Sequence, residues 1–274
     1  MRFLLACALF LCVCSAARAA EKKAASPVSH RAAYDLTLTK TAGGALSVVG
    51  AEGKMSYSIQ KTCTGWQTET VFSLTVAYEI SGSETTVWRQ QTIESDDGCR
   101  FDFSVDTLNA DGTQSRETAG SSRCEKGKKR LTVSFPLTSE AVFPKTVLFP
   151  VRQTQFLLEQ AQKGKKQATS YVYDGSKLES LQKVHAVIGK EQKKAPDAAF
   201  SGDKSLTAGN ARRFDIAFYN DLGLSPANDG TPMYEVSMLL YDNGVADDIL
   251  QDFGGYAVRS RLIRAERLPD LGCP

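Results

Sequence analysis

Apolar and polar residues alternate with a period of two along most of the chain. Tyr34, Leu36 and Leu38 begin this pattern, each separated from the next by one polar residue. Such alternation predicts a β-strand with one buried and one solvated face. The same pattern predicts further strands at residues 54–61, 66–80, 85–94, 99–108, 113–124, 130–135, 167–173, 181–190, 212–220, 233–241, 245–253 and 256–268. We therefore expect about 13 or 14 strands.

Short turn sequences connect several of these predicted strands. Asp111-Gly112 and Asn243-Gly244 stand between strands of similar length, and glycine adopts the positive φ of a tight hairpin turn at low cost. Successive hairpins place neighbouring strands antiparallel. The pattern thus predicts a mainly β protein with one large, curled, barrel-like antiparallel sheet.

One segment has a helical period instead. In residues 152–163, Phe156, Leu157 and Ala161 share a face, and Gly164 follows as a helix-ending residue. A single amphipathic helix in a strand-rich chain is expected to cover the sheet or plug the mouth of a barrel. By contrast, residues 190–209 are charged and without period, which predicts a long surface loop.

The N-terminus has the features of an export signal. Arg2 precedes an apolar run, and residues 17–19 fit a small-x-small cleavage site, so residues 1–19 are predicted to be a cleaved signal peptide. A membrane anchor and a lipoprotein signal are the alternatives; the apolar run is short for a membrane span. Residues 20–29 are expected to be a flexible N-terminus, and residues 30–274 a single β domain in the exported protein.

Removal of the signal peptide changes the charge of the chain. Of the 33 basic residues, Arg2 and Arg18 leave with the signal peptide. The 31 that remain equal the 31 acidic residues in number. A neutral chain is not expected to bind nucleic acid or an anionic membrane surface through its net charge. The cluster of basic residues at 126–130 is interpreted as a solvated turn, with a phosphate or lipid-headgroup patch as the alternative.

Four of the seven cysteines remain in the mature chain, and an even number in an exported protein favours disulfides. Cys99 and Cys124 lie at equal distances from the predicted Asp111-Gly112 turn, so their strands would bring them face to face. Of the three possible pairings, this favours Cys99–Cys124 together with Cys63–Cys273. The second bond would link the C-terminus to an early strand and close a loop over most of the chain.

Several ordered features resemble the EipB-like family of cell-envelope integrity proteins from α-proteobacteria. They are the signal peptide, the opening HRAAYDL at residues 30–36, the CTGW element at residues 63–66, and Cys273 beside the C-terminus. The resemblance covers essentially the whole mature chain. It implies a periplasmic β-spiral with one helix, a Cys63–Cys273 bond, and no established enzyme activity. Cys99 and Cys124 are not part of the family pattern.

The sequence contains little that indicates catalysis. His30 and His185 are the two histidines in the chain, so a histidine-based metal cluster is not expected, and His30 is interpreted as a structural hydrogen-bonding residue. Asp247, Asp248 and Asp252 could pair as acid and base, but no feature of the sequence distinguishes them from a solvated strand edge. We expect no enzyme activity, metal or cofactor.

Aromatic residues on neighbouring predicted strands form the candidate ligand or partner surface. They are Trp66, Tyr78, Trp88, Phe101 and Phe103. Their positions predict that they line the inside of the curled sheet, either as ordinary core or around a cavity.

Three hypotheses for function follow. The first is a non-enzymatic periplasmic protein that supports envelope integrity by binding a protein partner through an apolar patch or a sheet edge. The alternative is a carrier or sensor that holds a lipid, acyl chain or peptide in the concave face of the sheet. An envelope hydrolase using Asp248 is a third, weaker hypothesis. None of them involves nucleic acid or a membrane-spanning segment.

Overall fold

The computed structural model describes residues 26–41, 47–108, 113–176, 181–194, 199–220 and 230–273. The predicted signal peptide, most of the predicted flexible N-terminus and the Asp111-Gly112 turn lie outside these residues. Among the described residues, no helix is long and apolar enough to cross a membrane.

Within the described ranges the chain forms a 15-stranded sheet, which confirms the predicted fold class. The strands are β1 (His30–Thr41), β2 (Val48–Lys61), β3 (Gly65–Tyr78), β4 (Gly82–Ser95), β5 (Arg100–Leu108), β6 (Gln114–Glu125), β7 (Lys128–Phe135), β8 (Ser139–Pro144), β9 (Gln167–Tyr173), β10 (Leu181–Lys194), β11 (Ser201–Gly202), β12 (Gly209–Asn220), β13 (Tyr234–Tyr241), β14 (Ala246–Asp252) and β15 (Tyr256–Arg267). Their order is β8-β7-β6-β5-β4-β3-β2-β1-β15-β14-β13-β12-β10-β9, with β11 parallel to β15. All other pairs are antiparallel.

Strands β8 and β11 were not predicted. Strand β8 is short and ends at Pro144, and β11 has only two residues, so neither carries a readable alternation. Strand β11 also corrects the predicted loop at residues 190–209. Strand β10 extends to Lys194, and a short 3-10 helix, Lys204–Leu206, follows β11. Phe200 and Leu206 are buried in the core, which explains why this segment is ordered against the sheet.

The two ends of the strand order come together through aromatic packing. The rings of Phe143 on β8 and Tyr173 on β9 lie 5.4 Å apart between centroids. Between β8 and the helix, a crossing segment of the chain runs beside β9. There the backbone N–H of Leu148 donates to the Tyr171 carbonyl at 2.7 Å, and the Leu148 carbonyl accepts from the N–H of Tyr173 at 3.0 Å. The sheet is therefore curled into a barrel-like form, with this crossing segment holding its ends together.

The main core lies on the inner face of the curl. It comprises the inward residues of β1 to β3 and of β13 to β15, among them Tyr34, Leu36, Leu74, Val76 and Leu262. A separate cluster forms beneath the helix, and a third joins β5, β7, β8 and β9. These inward residues are the apolar positions of the period-two pattern, as expected for a sheet with one buried face.

The predicted helix is present as α1 (Pro150–Gln162). It begins two residues before the predicted start and packs on β9 and β10 through Leu157, Leu158 and Ala161. Gly164 follows with a φ of 72°, a left-handed conformation that favours glycine and ends the helix.

Two disulfides join the strands. Cys63 pairs with Cys273 at a Cα separation of 5.2 Å, and Cys99 pairs with Cys124 at 4.9 Å. These are the two pairs that the spacing favours. The C-terminal segment also bonds to the sheet through its backbone, because the N–H of Leu271 donates to the carbonyl of Lys61 at 2.7 Å.

Candidate functional site

The five candidate aromatic residues do not form one surface. Phe101 and Phe103 are 0% and 5% exposed in the cluster that joins β5 to β9, and Trp66 is 5% exposed beside Ile59. Tyr78 and Trp88 are half-buried at the other end of the curl. The five residues are therefore divided between the core and the open end of the curl. Strand alternation predicts the face of a residue, but the crossing segment and the helix decide which part of that face is covered.

The inside of the curl contains a cavity of about 280 Å³. One side is lined by apolar groups of β1, β2, β13 and β14, including Met55, Met238, Leu240 and Ile249. The other side is lined by neutral polar groups of β2 to β4. They are Tyr57, Thr68, Thr70, Gln90 and Thr92. The cavity can therefore take a small molecule with an apolar part and an uncharged polar part.

The polar side of the cavity is held in place by internal hydrogen bonds. The Tyr34 hydroxyl donates to the carbonyl of Ala246 at 2.9 Å, and the hydroxyls of Thr68 and Thr92 are 2.7 Å apart. The Gln90 amide donates to the carbonyl of Asp174 at 2.8 Å, which leaves its own oxygen as an acceptor. Burial raises the pKa of Tyr34 and of Tyr57, so both hydroxyls stay protonated at any physiological pH.

A buried carboxylate on β4 anchors the helix. Glu94 is 1% exposed, and its two oxygens accept the backbone N–H groups of Val151 and Arg152, each at 2.9 Å. These are donors that a helix leaves unsatisfied in its first turn. Burial raises the pKa of Glu94 to about 7, against the opposing effect of these bonds and of Lys129 and Arg152. Because Pro150 lines the cavity, Glu94 positions the helix as one of its walls.

The basic cluster at residues 126–130 is not simply a solvated turn. Lys129 occupies an inward position of β7 and is 3% exposed. Its ammonium donates to the carbonyl of Val147 and lies 4.0 Å above the ring of Phe149. Burial lowers its pKa to about 8. The interpretation as a solvated turn was wrong for this residue, because strand alternation carries every second side chain of β7 into the core.

A second cavity lies at the opposite end of the curl from α1. This mouth cleft has a volume of about 210 Å³ and is defined by residues of β3, β4 and the β14–β15 turn. They are Phe72, Leu74, Val76, Tyr78, Glu84, Thr86, Trp88, Phe253 and Tyr256. Sequence reasoning missed Phe72, Phe253 and Tyr256. The last two flank the Gly254-Gly255 turn, and that position beside a turn was the available signal.

Two aromatic pairs form the walls of the mouth cleft. Phe72 and Trp88 stack at 5.6 Å between ring centroids, and Phe253 and Tyr256 lie 5.3 Å apart. The β3–β4 turn beside the cleft carries Ile80, which is 89% exposed. Apolar surface is therefore open to solvent at this end of the molecule.

The remaining candidate residues are engaged in structural contacts. Asp248 pairs with Arg213 at 2.5 Å, and Asp252 with Lys40 at 2.9 Å. His30 is buried, with Nδ1 2.8 Å from the carbonyl oxygen of Val28. Across the part of the chain that the structure describes, no group of three or more His, Cys, Asp or Glu residues is arranged to hold a metal.

Comparisons with known proteins agree with this architecture. The profile of the EipB-like family matches residues 21–269. The cell envelope integrity protein EipB of Brucella abortus (strain 2308) is 28% identical over 241 residues, covering 87% of this chain and 84% of that protein.

A crystal structure from the same organism is also similar. The beta-barrel-like protein of domain of unknown function DUF1849 from Brucella abortus superposes with a TM-score of 0.79 at 26% identity. The match covers 90% of this chain and 100% of that one. The resemblance noted from the CTGW element and the opening residues is thereby confirmed, and this chain belongs to the EipB-like family.

Proposed function

We propose that this protein supports cell-envelope integrity from the periplasm by binding a protein partner, and that it catalyses no reaction. The observation that carries the proposal is membership of a family with a relative named for cell-envelope integrity. A cleavable signal peptide would deliver the chain to the oxidising compartment in which its two disulfides persist.

The proposed docking surface is the mouth cleft together with Ile80. Trp88 and Tyr78 are half-buried there, and Phe253 is 42% exposed. Partly exposed aromatic residues gathered around a concave site supply large apolar contact area at low entropic cost, which is typical of binding hot spots. The pairing of β3 with β4, in which Phe72 lies opposite Trp88, holds part of this surface in place.

Site-specific photo-crosslinking tests this surface. A photoreactive residue is placed at position 80 of the full chain. This chain is expressed in a strain from which the strain's own gene for the protein has been deleted. The matched control is position 187, because Val187 is also apolar and 44% exposed but lies on β10, away from the cleft. We expect a discrete protein adduct from position 80 and none from position 187.

The same strain tests envelope function. With the photoreactive residue kept at position 80, we expect Trp88→Ala to lose the adduct. In the chain without the photoreactive residue, we expect Ile80→Asp with Trp88→Ala to lose the resistance to detergent and EDTA, while Val187→Asp keeps it. Equal melting temperatures of the variants would show that the fold is preserved. Full rescue by the folded cleft variant would overturn the proposed docking surface.

A second candidate function is suggested by the cavity beside α1. Its volume of about 280 Å³ and its division into apolar and neutral polar sides suit one small amphipathic molecule, such as part of a lipid or a peptide side chain. Native mass spectrometry of protein purified from membranes would then show added mass. Ala246→Phe, which fills the cavity, should remove that mass, and a spectrum with no bound species from either protein would rule this function out.

A further inference from the structure

We propose that the mouth cleft binds a cationic side chain, a lysine or arginine, of the partner protein. This inference rests on the proposed function for the source of the side chain, whereas the chemistry of the cleft stands by itself. A contact with a charged side chain would make the docking surface selective among partners, whereas an apolar patch alone would not.

The first step is an uncompensated charge. Glu84 is exposed and lines the cleft, and its carboxylate makes no hydrogen bond or ion pair with the residues that the structure describes. The half-buried Glu69 and the exposed Glu140 are, by contrast, each paired with an arginine. Glu84 is therefore available to attract a positive charge that enters the cleft.

The second step is the aromatic lining. The faces of aromatic rings carry negative electrostatic potential, so ammonium and guanidinium groups bind over them, most strongly over tryptophan. Here the Phe72–Trp88 pair and the Phe253–Tyr256 pair stand around the same cleft as Glu84. A carboxylate combined with several rings selects a cation over a neutral or anionic group.

The third step is size. The cleft encloses about 210 Å³, which is less than the roughly 300 Å³ at which pockets for drug-sized ligands begin. A single long side chain fits this volume, and the alkyl stem of lysine or arginine can pack against the rings while its charge reaches Glu84. The exposed Ile80 beside the cleft can then contact the backbone from which that side chain projects.

The tryptophan content makes a direct test possible. The chain has two tryptophans, so Trp66→Phe leaves Trp88 as the sole tryptophan and as a reporter inside the cleft. The probes are blocked tripeptides Ala-Lys-Ala and Ala-Arg-Ala, with Ala-Gln-Ala as the uncharged control. We expect saturable changes in Trp88 emission with the two cationic peptides, weakened by added salt, and none with Ala-Gln-Ala.

Substitution at the carboxylate gives the matched comparison. Glu84→Gln is expected to weaken binding of the cationic peptides by about fivefold, the effect of one exposed charge pair. Glu140→Gln on β8 should leave it unchanged. If Trp66→Phe does not fold, the unsubstituted chain is used, with Trp88→Phe as the blank. Equal binding by Glu84→Gln, or equal response to all three peptides, would overturn the inference.

Two further outcomes separate this inference from the proposed function. If tetramethylammonium binds and the lysine and arginine peptides do not, the cleft is a site for a small cationic headgroup and the inference is wrong. If the peptides bind as expected but position 80 gives no protein adduct, the cleft chemistry stands and the proposed protein partner fails. If position 80 gives a protein adduct but the peptides do not bind, the proposed protein partner stands and the inference about the cleft is wrong.

Discussion

The two disulfides offer a quantitative test of how this sheet is held together. Cys63–Cys273 spans 210 residues and links the C-terminal segment to the β2–β3 turn, whereas Cys99–Cys124 spans 25 residues at the base of the β5–β6 hairpin. Both bonds restrict the unfolded chain, but the longer loop loses more conformational entropy when it is closed.

The expected magnitudes follow from these two loop lengths. In the chain-entropy model, the 210-residue loop contributes about 5 kcal/mol to the free energy of unfolding at 25 °C, and the 25-residue loop contributes about 3.5 kcal/mol. Removing the long-range bond should therefore cost about 1.5 to 2 kcal/mol more than removing the local one.

Urea unfolding of the exported protein measures both costs, followed by the emission of the two tryptophans. The variants are the double substitutions Cys63→Ser with Cys273→Ser, and Cys99→Ser with Cys124→Ser, so that no unpaired thiol remains. We expect both midpoints to fall, and the first to fall further. An unchanged curve for the first variant, or a larger loss for the second, would refute the loop-entropy argument.

Two other predictions concern buried residues. The folded pKa of Glu94, about 7, lies above its ordinary value of 4.5, so folding favours the protonated carboxyl. Stability from this group is complete below pH 4.5 and is lost as the pH rises through 7, by up to about 3 kcal/mol. Glu94→Gln should flatten the dependence of the unfolding free energy on pH between these two values, and Glu52→Gln on the exposed face of β2 should not. If Glu94→Gln leaves that dependence unaltered, Glu94 is not its source. Gly120→Ala should destabilise by about 1 to 3 kcal/mol in chemical unfolding, because a Cβ there would lie 2.4 Å from the Thr132 carbonyl oxygen and 2.6 Å from the Phe103 ring. A Gly120→Ala protein as stable as the original would show that the strands separate without cost.

The start of α1 shows where local sequence signals stop being sufficient. The helical period and Gly164 predicted residues 152–163, but the helix begins at Pro150. Its N-cap residue, Phe149, makes no side-chain capping bond. The cap comes instead from Glu94, 57 positions earlier, which accepts the N–H of Val151. No pattern near residue 150 reports a carboxylate on β4, because only the curl of the sheet brings the two together.

The charge or aromatic character of a residue also did not predict whether its side chain is exposed. Lys129 reads as part of a solvated basic turn, yet it is buried with its ammonium over the Phe149 ring. Trp66 and Trp88 share the inward face of neighbouring strands, yet one is core and the other lines an open cleft. In each case the covering element comes from a distant part of the chain.

The alternation of residues by itself determined the strand-rich class, the antiparallel hairpins, the inward-facing positions and the presence of one amphipathic helix. It could do so because strand faces and helix stripes depend on contacts between residues close in sequence. The curl of the sheet, the crossing segment at Leu148, the Glu94 anchor and the two cavities were decided only by tertiary structure. Each of these depends on residues that are far apart along the chain and meet only after the two ends of the sheet have come together.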